Sequence, residues 1–584
     1  MTDKISKSDF RIAAFPARGW LKILLLLLGP FIDQILGFRK LKKLFDLYKL
    51  EGLEKKAFVK RGLEMLQVNY NVNNSLSSIP TSGPLIIVSN HPYGGVEGVI
   101  LADFLSTIRD DVKFMANSGL SLVKEMNDFF IFTNPLVTNN YKNISSIRAC
   151  QAHLENNGLL VLFPAGKVSY FRKDKNRITD GEWTRIAAKL STKLNIPVLP
   201  LFFAGSNSKF FQIMGKIYYR FKLLMLTREM LKMKGKTVQL YLGNLLKPEQ
   251  LKGSSKEITE YLRMQTYLQD PDYIYSRKIE GDNLDLPQLI SAVPYKQIKD
   301  ELMQLPKKQH LLDFKNYSVY YGYYEQLKST VREITRLREL TFREMKEGSG
   351  ADRDTDRFDE TYTQLFIVDN DKEEIIGAYR MGQIDLLLKN NNIKDIYLSK
   401  MFKFEGDFYS KIKSGVEMGR SFLISREQKS IYGFFLLWRG IGEFMVRNPK
   451  YRYLYGTVSL SNIYDPRSIA LIHSVLVGEK NLVQPVTDID IQLHPEVEEY
   501  LAKNKLNLKE LDKLIKSIEP DEKGLPVLVR QYAKLGAQFV SIGSDIEFRR
   551  TPGMLLIINT GEAPAKTIQR YFGEGTDRYL NYCP

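Results

Sequence analysis

Between about residues 60 and 250, short apolar runs alternate with amphipathic helical stretches, and this alternation constrains the fold more than any other feature. The runs at 85–88, 159–163 and 197–203 are rich in branched or aromatic residues and are bounded by Gly, Pro or Asn, as buried strands are. A helix is predicted over 183–194, between the last two runs. We therefore expect an α/β domain with a mixed sheet and flanking helices.

A second α/β pattern follows, after a polar stretch that contains several prolines. It is predicted to contain a helix over 326–346, strands near 364–369 and 375–380, a helix over 430–447, and strands near 452–459 and 538–543. With 584 residues, of which 44% are hydrophobic, the chain is long enough to bury more than one core. The predicted organisation is membrane-interfacial helices over 1–55, a first domain over 56–270, a linker over 271–325 and a second domain over 326–584.

The net charge of +17 is concentrated in two clusters. Residues 1–60 and residues 205–240 each carry +7, the first around the apolar run 23–28 and the second among aromatic residues. Such clusters suit an anionic bilayer surface, and a solvated basic face is the alternative. No nucleic-acid-binding motif accompanies the charge, so we expect no nucleic acid as a partner.

The N-terminal apolar stretch is too short to span a membrane. It stays uncharged only over 23–32, where a span needs about 20 apolar residues. No small-residue cleavage site follows it, which argues against a signal peptide. We therefore expect peripheral or monotopic attachment.

Cysteine and histidine are scarce. The two cysteines, Cys150 and Cys583, cannot form a disulfide framework, and the five histidines form no Cys/His cluster at zinc spacing. A reducing compartment and no structural metal are therefore expected.

The sharpest motif is SNHPYGGVEG, at positions 89–98, directly after a predicted strand. An imidazole beside a carboxylate can take a proton from a hydroxyl group, so His91 and Glu97 are predicted catalytic residues. Gly94 and Gly95 allow close backbone approach to a developing negative charge, which predicts substrate-binding roles. A capping or core histidine is the alternative interpretation of His91.

A complementary turn, FPAG within LLVLFPAGKVS, ends the predicted strand at 159–163. Together the two motifs resemble the glycerophospholipid acyltransferase family, whose signature combines a His and an acidic residue four apart, an FPEG-like turn and a later VP pair. The resemblance covers about residues 60–270. It implies that the substrate is bound by Phe163, Pro164, Gly166 and Lys167.

The chain departs from this family pattern at three points. Five residues separate His91 from Glu97 where the family has four and an Asp, so a stretched dyad is expected. Position 165 is Ala where the FPEG turn has Glu, and no clear match to the arginine-bearing block for the acceptor's phosphate is present. These changes concern phosphate recognition more than acyl transfer, so the acceptor need not carry a glycerol phosphate.

The C-terminal half carries an independent set of mostly charged residues in a fixed order: Arg338, Phe342, Asp356, Asp359, Arg380, Glu417 and Arg420. This order resembles the acyl-homoserine-lactone autoinducer synthases and, more fully, the ornithine-lipid N-acyltransferases, both built on the GNAT acetyltransferase fold. The likeness covers about residues 330–575. The tryptophan that autoinducer synthases place between the Phe and the acidic pair is missing, which argues against a lactone product.

An amino-acid acceptor brings an amine and a carboxylate, so acidic and basic groups must both line its pocket. The predicted catalytic residues are Asp356, Asp359, Glu417 and Arg420, and the predicted substrate-binding residues are Arg338, Phe342 and Arg380. A buried ion-pair network that only fixes the fold is the alternative for each of them. The GNAT resemblance implies that the donor's pantetheine lies between splayed strands near 455–460.

Two acyltransferase-like halves on one chain most closely resemble the bifunctional ornithine-lipid synthases. The resemblance implies that the C-terminal half first acylates the α-amine of an amino acid, ornithine above all, with a 3-hydroxyacyl chain from acyl carrier protein. The N-terminal half then esterifies the 3-hydroxyl of this lyso-lipid from a second acyl thioester, acyl-ACP or acyl-CoA, using His91. No other cofactor is implied, and the expected location is the cytoplasmic face of a bacterial inner membrane.

Two alternatives remain open from sequence. One is a lysophospholipid acyltransferase fused to an N-acyltransferase for a small soluble acceptor. The other is a non-catalytic, haemolysin-like membrane-disrupting protein.

Overall fold

In the computed structural model the chain divides into two compact units, one formed by residues 1–274 and 493–504 and the other by residues 275–492 and 505–584. The structure describes residues 31, 33–74, 79–133, 141–217, 219–273, 286–428, 430–477, 483–487, 489 and 491–582. The predicted interfacial helices before residue 31, the apolar run 23–28 and Cys583 lie outside these ranges. No helix within them is long and apolar enough to cross a bilayer.

The described part of the first unit has nine strands: β1 (Asn69–Asn73), β2 (Leu85–Ser89), β3 (Val112–Asn117), β4 (Phe130–Thr133), β5 (Leu159–Leu162), β6 (Tyr170–Arg172), β7 (Arg177–Thr179), β8 (Val198–Phe203) and β9 (Thr237–Leu242). Seven of them form a mixed sheet in the order β1-β9-β8-β2-β5-β3-β4, while β6 and β7 form a separate hairpin. Within the sheet β8 and β9 are antiparallel, and the other neighbouring pairs are parallel.

The helices described between residues 31 and 273 are α1 (Phe38–Leu47), α2 (Lys55–Leu66), α3 (Val96–Ser106), α4 (Tyr141–Glu155), α5 (Ile186–Leu194), α6 (Lys209–Ile217), α7 (Tyr219–Leu231) and α8 (Ser255–Tyr267). The sheet has an apolar core on each face, because successive side chains of a strand point to opposite faces. In β2, Leu85 and Ile87 join one core, and Ile86 and Val88 join the other. This is why the central strands appear in the sequence as continuous apolar runs.

In the second unit, the residues that the structure describes form ten strands: β10 (His310–Phe314), β11 (Tyr317–Gly322), β12 (Thr363–Asp369), β13 (Glu374–Gln383), β14 (Phe402–Lys403), β15 (Gly415–Leu423), β16 (Tyr453–Ser459), β17 (Gln484–Pro485), β18 (Gln538–Asp545) and β19 (Thr551–Asn559). Eight form a sheet in the order β10-β11-β12-β13-β15-β16-β19-β18. The pair β15 and β16 is parallel, and the other neighbouring pairs are antiparallel.

The remaining helices are α9 (Tyr295–Gln304), α10 (Lys328–Glu344), α11 (Ile384–Leu387), α12 (Gly406–Ile412), α13 (Ser425–Gln428), α14 (Ile431–Arg447), α15 (Pro466–Leu476), α16 (Pro495–Lys503), α17 (Leu508–Ile518), α18 (Val527–Lys534), α19 (Ala565–Phe572) and α20 (Thr576–Leu580). Of these, α16 belongs to the first unit. The range 271–325, expected to be a linker, contains α9 and the strands β10 and β11 of the second sheet. The predicted fold class, two α/β domains with mixed sheets, is confirmed.

Candidate active sites

His91 lies just beyond the end of β2, in the loop that leads into α3. Its Nδ1 atom is 3.3 Å from Oε1 of Glu97, which occupies the first turn of α3. The His91 side chain is 17% exposed and that of Glu97 is fully buried. The loop accommodates the extra residue that was expected to stretch the dyad, so the imidazole and the carboxylate remain in contact.

Backbone groups of this loop hold Glu97. Its carboxylate accepts hydrogen bonds from the N–H groups of Tyr93 (2.5 Å), Gly94 (2.9 Å) and Gly95 (3.0 Å). The two glycine N–H groups, predicted to approach a developing negative charge on the substrate, thus bind a carboxylate of the protein itself. Gly94 has a φ of 90°, and a Cβ atom there would lie 2.5 Å from Val168, so packing also requires this glycine.

The electrostatic interaction between His91 and Glu97 shifts the pKa values of both groups. Burial alone lowers the pKa of His91, but the charge and hydrogen bond of Glu97, together with the charge of Asp180, raise it above its ordinary value. Burial alone raises the pKa of Glu97, but His91 and the N–H of Gly94 hold it below its ordinary range. With Nδ1 facing an ionised Glu97, Nε2 is the ring atom that can take a proton from a substrate.

The FPAG turn lies against the imidazole. The Phe163 ring stacks on His91 with centroids 4.3 Å apart. Gly166, with a φ of 60°, donates its N–H to the Phe163 carbonyl (2.9 Å) and closes the turn. Pro164 is buried, whereas Gly166 and Lys167 are exposed. The two predicted motifs meet because β2 and β5 are parallel neighbours whose carboxyl ends share one edge of the sheet.

Sequence reasoning missed Asp180, which holds the backbone of His91. Its buried carboxylate accepts hydrogen bonds from the His91 N–H (3.3 Å), the Ser169 hydroxyl (2.5 Å) and Trp183 Nε1 (2.9 Å). The Ser169 N–H in turn donates to the His91 carbonyl (2.8 Å). Both backbone polar groups of His91 are therefore fixed. No local signal indicates Asp180, because it lies 89 residues from His91 in sequence.

In the second unit, three arginines and three aspartates form a closed, buried circuit of alternating charge, called here the Arg–Asp ring. Each member pairs with two members of opposite charge: Arg338 with Asp354 (2.6 Å) and Asp359 (2.9 Å), Arg380 with Asp356 (2.6 Å) and Asp359 (3.3 Å), and Arg420 with Asp354 (3.4 Å) and Asp356 (3.6 Å). The six formal charges cancel, which offsets the cost of burying them.

One short segment supplies all three acids, and three separate elements supply the arginines. The acids lie before or within the 3₁₀ turn Arg357–Asp359, where Asp356 accepts a hydrogen bond from the Phe358 N–H (2.9 Å). The arginines come from α10, β13 and β15. Five ring members were predicted from sequence. Asp354 was missed because only the fold shows which carboxylate completes the circuit.

Opposite charges in the ring hold Asp359 and Arg380 in their charged forms. Burial alone raises the pKa of Asp359, but Arg338 and Arg380 hold it well below its ordinary range. The pKa of Arg380 is raised above its already high value because Asp359 and Asp356 outweigh the effect of its burial. Groups with such pKa values do not exchange protons near neutral pH, which favours the interpretation that the ring is a framework.

Glu417, on β15, is not part of the ring. Its carboxylate is buried and accepts a hydrogen bond from the hydroxyl of Tyr455 (3.3 Å), its register partner on β16. Burial raises the pKa of Glu417 to about 7, and the charge of Arg380 only partly opposes this. A carboxylate that titrates near neutrality is suited to accept a proton during catalysis.

Phe342 acts next to the ring rather than in it. Arg420 has a φ of 48° near a register shift between β13 and β15, and its guanidinium lies 4.3 Å over the ring of Phe548. Phe342 packs edge to face on that same ring, with centroids 5.2 Å apart. The predicted substrate-binding residue Phe342 therefore supports Arg420 through Phe548.

The parallel strands β15 and β16 pair only as far as Met418 and Gly456. A Cβ atom at Gly456 would lie 2.1 Å from the Met418 carbonyl oxygen, so only glycine fits there. Beside this point lies an apolar pocket lined by residues that include Trp438, Tyr455 and Tyr532. Its lining includes Tyr455, Gly456 and Thr457, which fall in the range 455–460 where the resemblance to GNAT proteins implies that the donor's pantetheine lies.

Within the described ranges, no group of three or more His, Cys, Asp and Glu side chains has the geometry of a metal site.

Two family models match the chain. Residues 44–273 match the family described as "Acyltransferase", and this range contains His91, Glu97, the FPAG turn and Asp180. Residues 337–439 match the family described as "Acetyltransferase (GNAT) domain", and this range contains the Arg–Asp ring and Glu417.

Curated proteins and one solved structure are also similar to the chain. A "Glycine N(alpha)-acyltransferase" of Bacteroides thetaiotaomicron is 26% identical over 279 residues, which cover 45% of this chain and 82% of that protein. A "Lyso-glycine lipid O-acyltransferase" of Phocaeicola vulgatus is 28% identical over 193 residues, which cover 32% of this chain and 67% of that protein. The 1-acyl-sn-glycerophosphate acyltransferase structure from Thermotoga maritima has 17% sequence identity, covers 42% of this chain and 90% of that chain, and gives a TM-score of 0.25.

Proposed function

We propose that this chain, an acyltransferase that carries an acyltransferase domain and a GNAT domain, makes a diacylated aminoacyl lipid in two consecutive steps. The second unit transfers a 3-hydroxyacyl group to the α-amine of an amino acid and gives a mono-acylated lyso-lipid. The first unit then transfers a second acyl group to the 3-hydroxyl of that lyso-lipid. A non-catalytic membrane-disrupting protein is not retained as an alternative.

The observation that carries this proposal is the presence, on one chain, of two separate groups suited to accept a proton. His91 serves a hydroxyl acceptor in the first unit, and Glu417 serves an amine acceptor in the second. The relatives add support, because their names describe an N-acyltransferase for an amino acid and an O-acyltransferase for the corresponding lyso-lipid. The product of the first reaction is then the acceptor of the second.

In the proposed amide step the amine nitrogen attacks the thioester carbonyl carbon. A C–N bond forms, the C–S bond breaks, and the carrier leaves as a thiol. Glu417 takes the proton that the nitrogen must lose, since its pKa of about 7 matches this task, and passes it to the leaving sulfur. The Arg–Asp ring holds the two strands, β13 and β15, that flank the register shift next to Glu417.

In the proposed ester step the 3-hydroxyl oxygen attacks the second thioester. A C–O bond forms, a C–S bond breaks, and His91 Nε2 moves the hydroxyl proton to the leaving sulfur. Glu97 holds Nδ1 and stabilises the imidazolium that forms transiently. Phe163, stacked on the imidazole, limits how far the ring can rotate.

For the amino acid, glycine is the candidate that we favour, and ornithine, predicted from the sequence, is the second. Both curated relatives carry glycine in their names. Ornithine adds a second ammonium group, which needs a carboxylate of its own. Each ring carboxylate that the structure describes is already paired with two arginines.

For the acyl donors, acyl carrier protein is the proposed carrier in the amide step, and acyl-ACP or acyl-CoA in the ester step. For location, we propose the cytoplasmic face of a bacterial inner membrane, with peripheral attachment through the first unit. Phe31 and Ile35 are 68% and 51% exposed, and on α6 Phe210 and Ile213 are 45% and 55% exposed. The Arg228 guanidinium lies 4.6 Å over the Phe210 ring. Exposed apolar groups beside cations suit an anionic bilayer surface.

Lipid mass spectrometry of a host that makes the protein tests this proposal. We expect a new diacylated lipid whose headgroup mass identifies the amino acid, and His91→Ala should convert it into the mono-acylated lyso-lipid. Consumption of added lysophosphatidic acid would instead support the lysophospholipid alternative. Wild-type amounts of the diacylated lipid from His91→Ala would refute the proposed ester site.

A further inference from the structure

A helix from late in the sequence is part of the first unit. It is α16, within the segment 493–504. The Glu496 side chain on this helix is only 4% exposed, and its carboxylate is the meeting point of side chains from four residues. These donors are Lys175 (2.9 Å), Arg177 (3.0 Å), Thr179 (2.9 Å) and Arg263 (3.0 Å).

Further contacts fix α16 against α8 and the residues after it. The Glu496 N–H donates to Nδ1 of His494 (3.0 Å), which caps the helix. The His494 ring lies between Tyr267 and Tyr273, at centroid distances of 4.8 and 4.9 Å. Burial alone raises the pKa of Glu496, but Arg263 and Lys175 hold it well below its ordinary range. Glu496 is therefore a fixed negative charge at neutral pH.

From Glu496, contacts continue to the segment that carries Asp180. Arg263 donates to the backbone carbonyls of Asp180 (3.1 Å) and Gly181 (2.5 Å), in addition to its bond with Glu496. Thr179, which donates to Glu496, precedes Asp180 directly. The position of the Asp180 backbone is thus set from both sides, and its carboxylate in turn holds the His91 N–H.

We propose that Glu496 is a positioning residue of the ester-forming site. It fixes Arg263 and Thr179, these fix Asp180, and Asp180 fixes the backbone of His91. The inference rests on the proposed esterification at His91. The range that matches the acyltransferase family ends at residue 273. The inference implies that the catalytic geometry of the first unit also depends on Glu496, which lies more than 200 residues later in the sequence.

Kinetics of the full chain with Glu496→Gln test this role. The substrates are a supplied N-(3-hydroxyacyl)glycine and an acyl thioester, so that the ester step is measured alone. Glutamine keeps the shape but removes the charge that holds Arg263. We expect kcat of the ester step to fall by about ten- to a hundred-fold, as small misplacements of catalytic groups do, with KM for the lyso-lipid unchanged.

The matched control is Glu498→Gln, which removes the same charge from an exposed position on the same helix. It should behave as the wild type. The amide-forming rate of each variant reports whether the second unit is folded, and the KM for the lyso-lipid reports whether the first unit still binds its acceptor. Arg263→Lys is the milder companion variant, because lysine keeps the charge facing Glu496 but cannot reach both carbonyls at once. It should also lower kcat.

The double variant Glu496→Gln/Arg263→Lys separates positioning from general destabilisation. If both residues act along one path, their effects on kcat are not additive. The positioning role would be overturned if the kcat of Glu496→Gln stayed within two-fold of the wild type, or if Glu498→Gln lost as much activity. It would also be overturned if Glu496→Gln changed only KM, or if the losses in the double variant were additive. His91→Ala, measured in parallel, tests the proposed function itself. If His91→Ala still forms the ester, both the proposed ester site and the role of Glu496 are overturned. If His91→Ala loses ester formation and Glu496→Gln keeps it, only the role of Glu496 is overturned.

Discussion

Replacing Glu417 by glutamine is expected to stop the amide step and, above neutral pH, to stabilise the second unit. Glutamine has nearly the shape of glutamate but cannot take a proton. In the folded chain burial raises the pKa of Glu417 from 4.5 to about 7. The folded state therefore binds this proton more tightly than the unfolded state does, so the ionised form of Glu417 opposes folding.

The size of this effect follows from the raised pKa. A difference of about 2.5 pKa units, at about 1.36 kcal/mol per unit, amounts to about 3 kcal/mol. The destabilisation is absent below the unfolded pKa, grows between about pH 4.5 and pH 7, and is complete above pH 7. We therefore expect Glu417→Gln to raise the free energy of unfolding by about 3 kcal/mol at pH 8 and to leave it nearly unchanged at pH 4.5.

Denaturant unfolding at several pH values, followed by a signal from the second unit, measures this gain. The matched control is Glu405→Gln, at an exposed position of the same unit, which should show no pH-dependent gain. In activity assays the wild-type rate of amide formation should rise with pH through an inflection near 7. Glu417→Gln should lose that inflection and about 10²- to 10⁴-fold in rate, the usual contribution of a general base.

Two results would refute this reasoning. Wild-type amide formation by Glu417→Gln, with its inflection intact, would show that another group takes the proton. Lower stability of the variant at pH 8 would show that the ionised carboxylate is stabilised by its surroundings. Both outcomes are independent of the headgroup that the enzyme uses.

Three other changes test the proposed His91–Glu97 dyad, the separation of the two sites and the membrane contact. Glu97→Gln should lower the raised pKa of His91, so the acid limb of the ester-step pH profile should move to lower pH; an unmoved limb would contradict the dyad. Asp359→Asn leaves Arg338 and Arg380 short of a buried partner, which should cost about 3 to 5 kcal/mol of stability and abolish the amide product, while supplied lyso-lipid is still esterified. If it is not, the two sites are not separate. Deleting residues 1–45 should make liposome flotation more sensitive to salt, and equal flotation on neutral liposomes in high salt would show that the basic clusters are not the anchor.

Local sequence signals predicted that His91 and the FPAG turn lie close together, because both lie at strand ends. The motif containing His91 and the FPAG turn each follow an apolar run, and runs of that kind become neighbouring parallel strands. The two motifs then share an edge of the sheet without further information. The distance between His91 and Glu97 could not be predicted in this way, because it depends on the backbone N–H groups that turn the carboxylate toward the imidazole.

Residues that act over a long distance in sequence were not predicted. Asp180 and Glu496 lie outside any motif, and Asp354 lies in the same segment as Asp356 and Asp359 without a signal that sets it apart. Each of the three is identified only by its partners in the folded chain. Asp180 contacts His91 from 89 positions away, and Glu496 contacts Thr179 from 317 positions away. Apolar periodicity reports which face of an element is buried, but it carries no information about which charged groups meet.

Charge compensation distinguishes the framework carboxylates of this protein from those suited to proton transfer. In sequence, Asp359 and Glu417 are both predicted catalytic residues, and of the two Asp359 is the candidate to hold or deprotonate the amine. In the fold, two arginines neutralise Asp359 and hold its pKa low, whereas Glu417 is buried against tyrosine hydroxyls and its pKa rises to about 7. A buried carboxylate that is ion-paired with cations has little tendency to take a proton, whereas a buried carboxylate without such partners takes one readily. Among the residues that the structure describes, no arginine forms an ion pair with Glu417, so we propose Glu417, and not a member of the ring, as the base of the amide step.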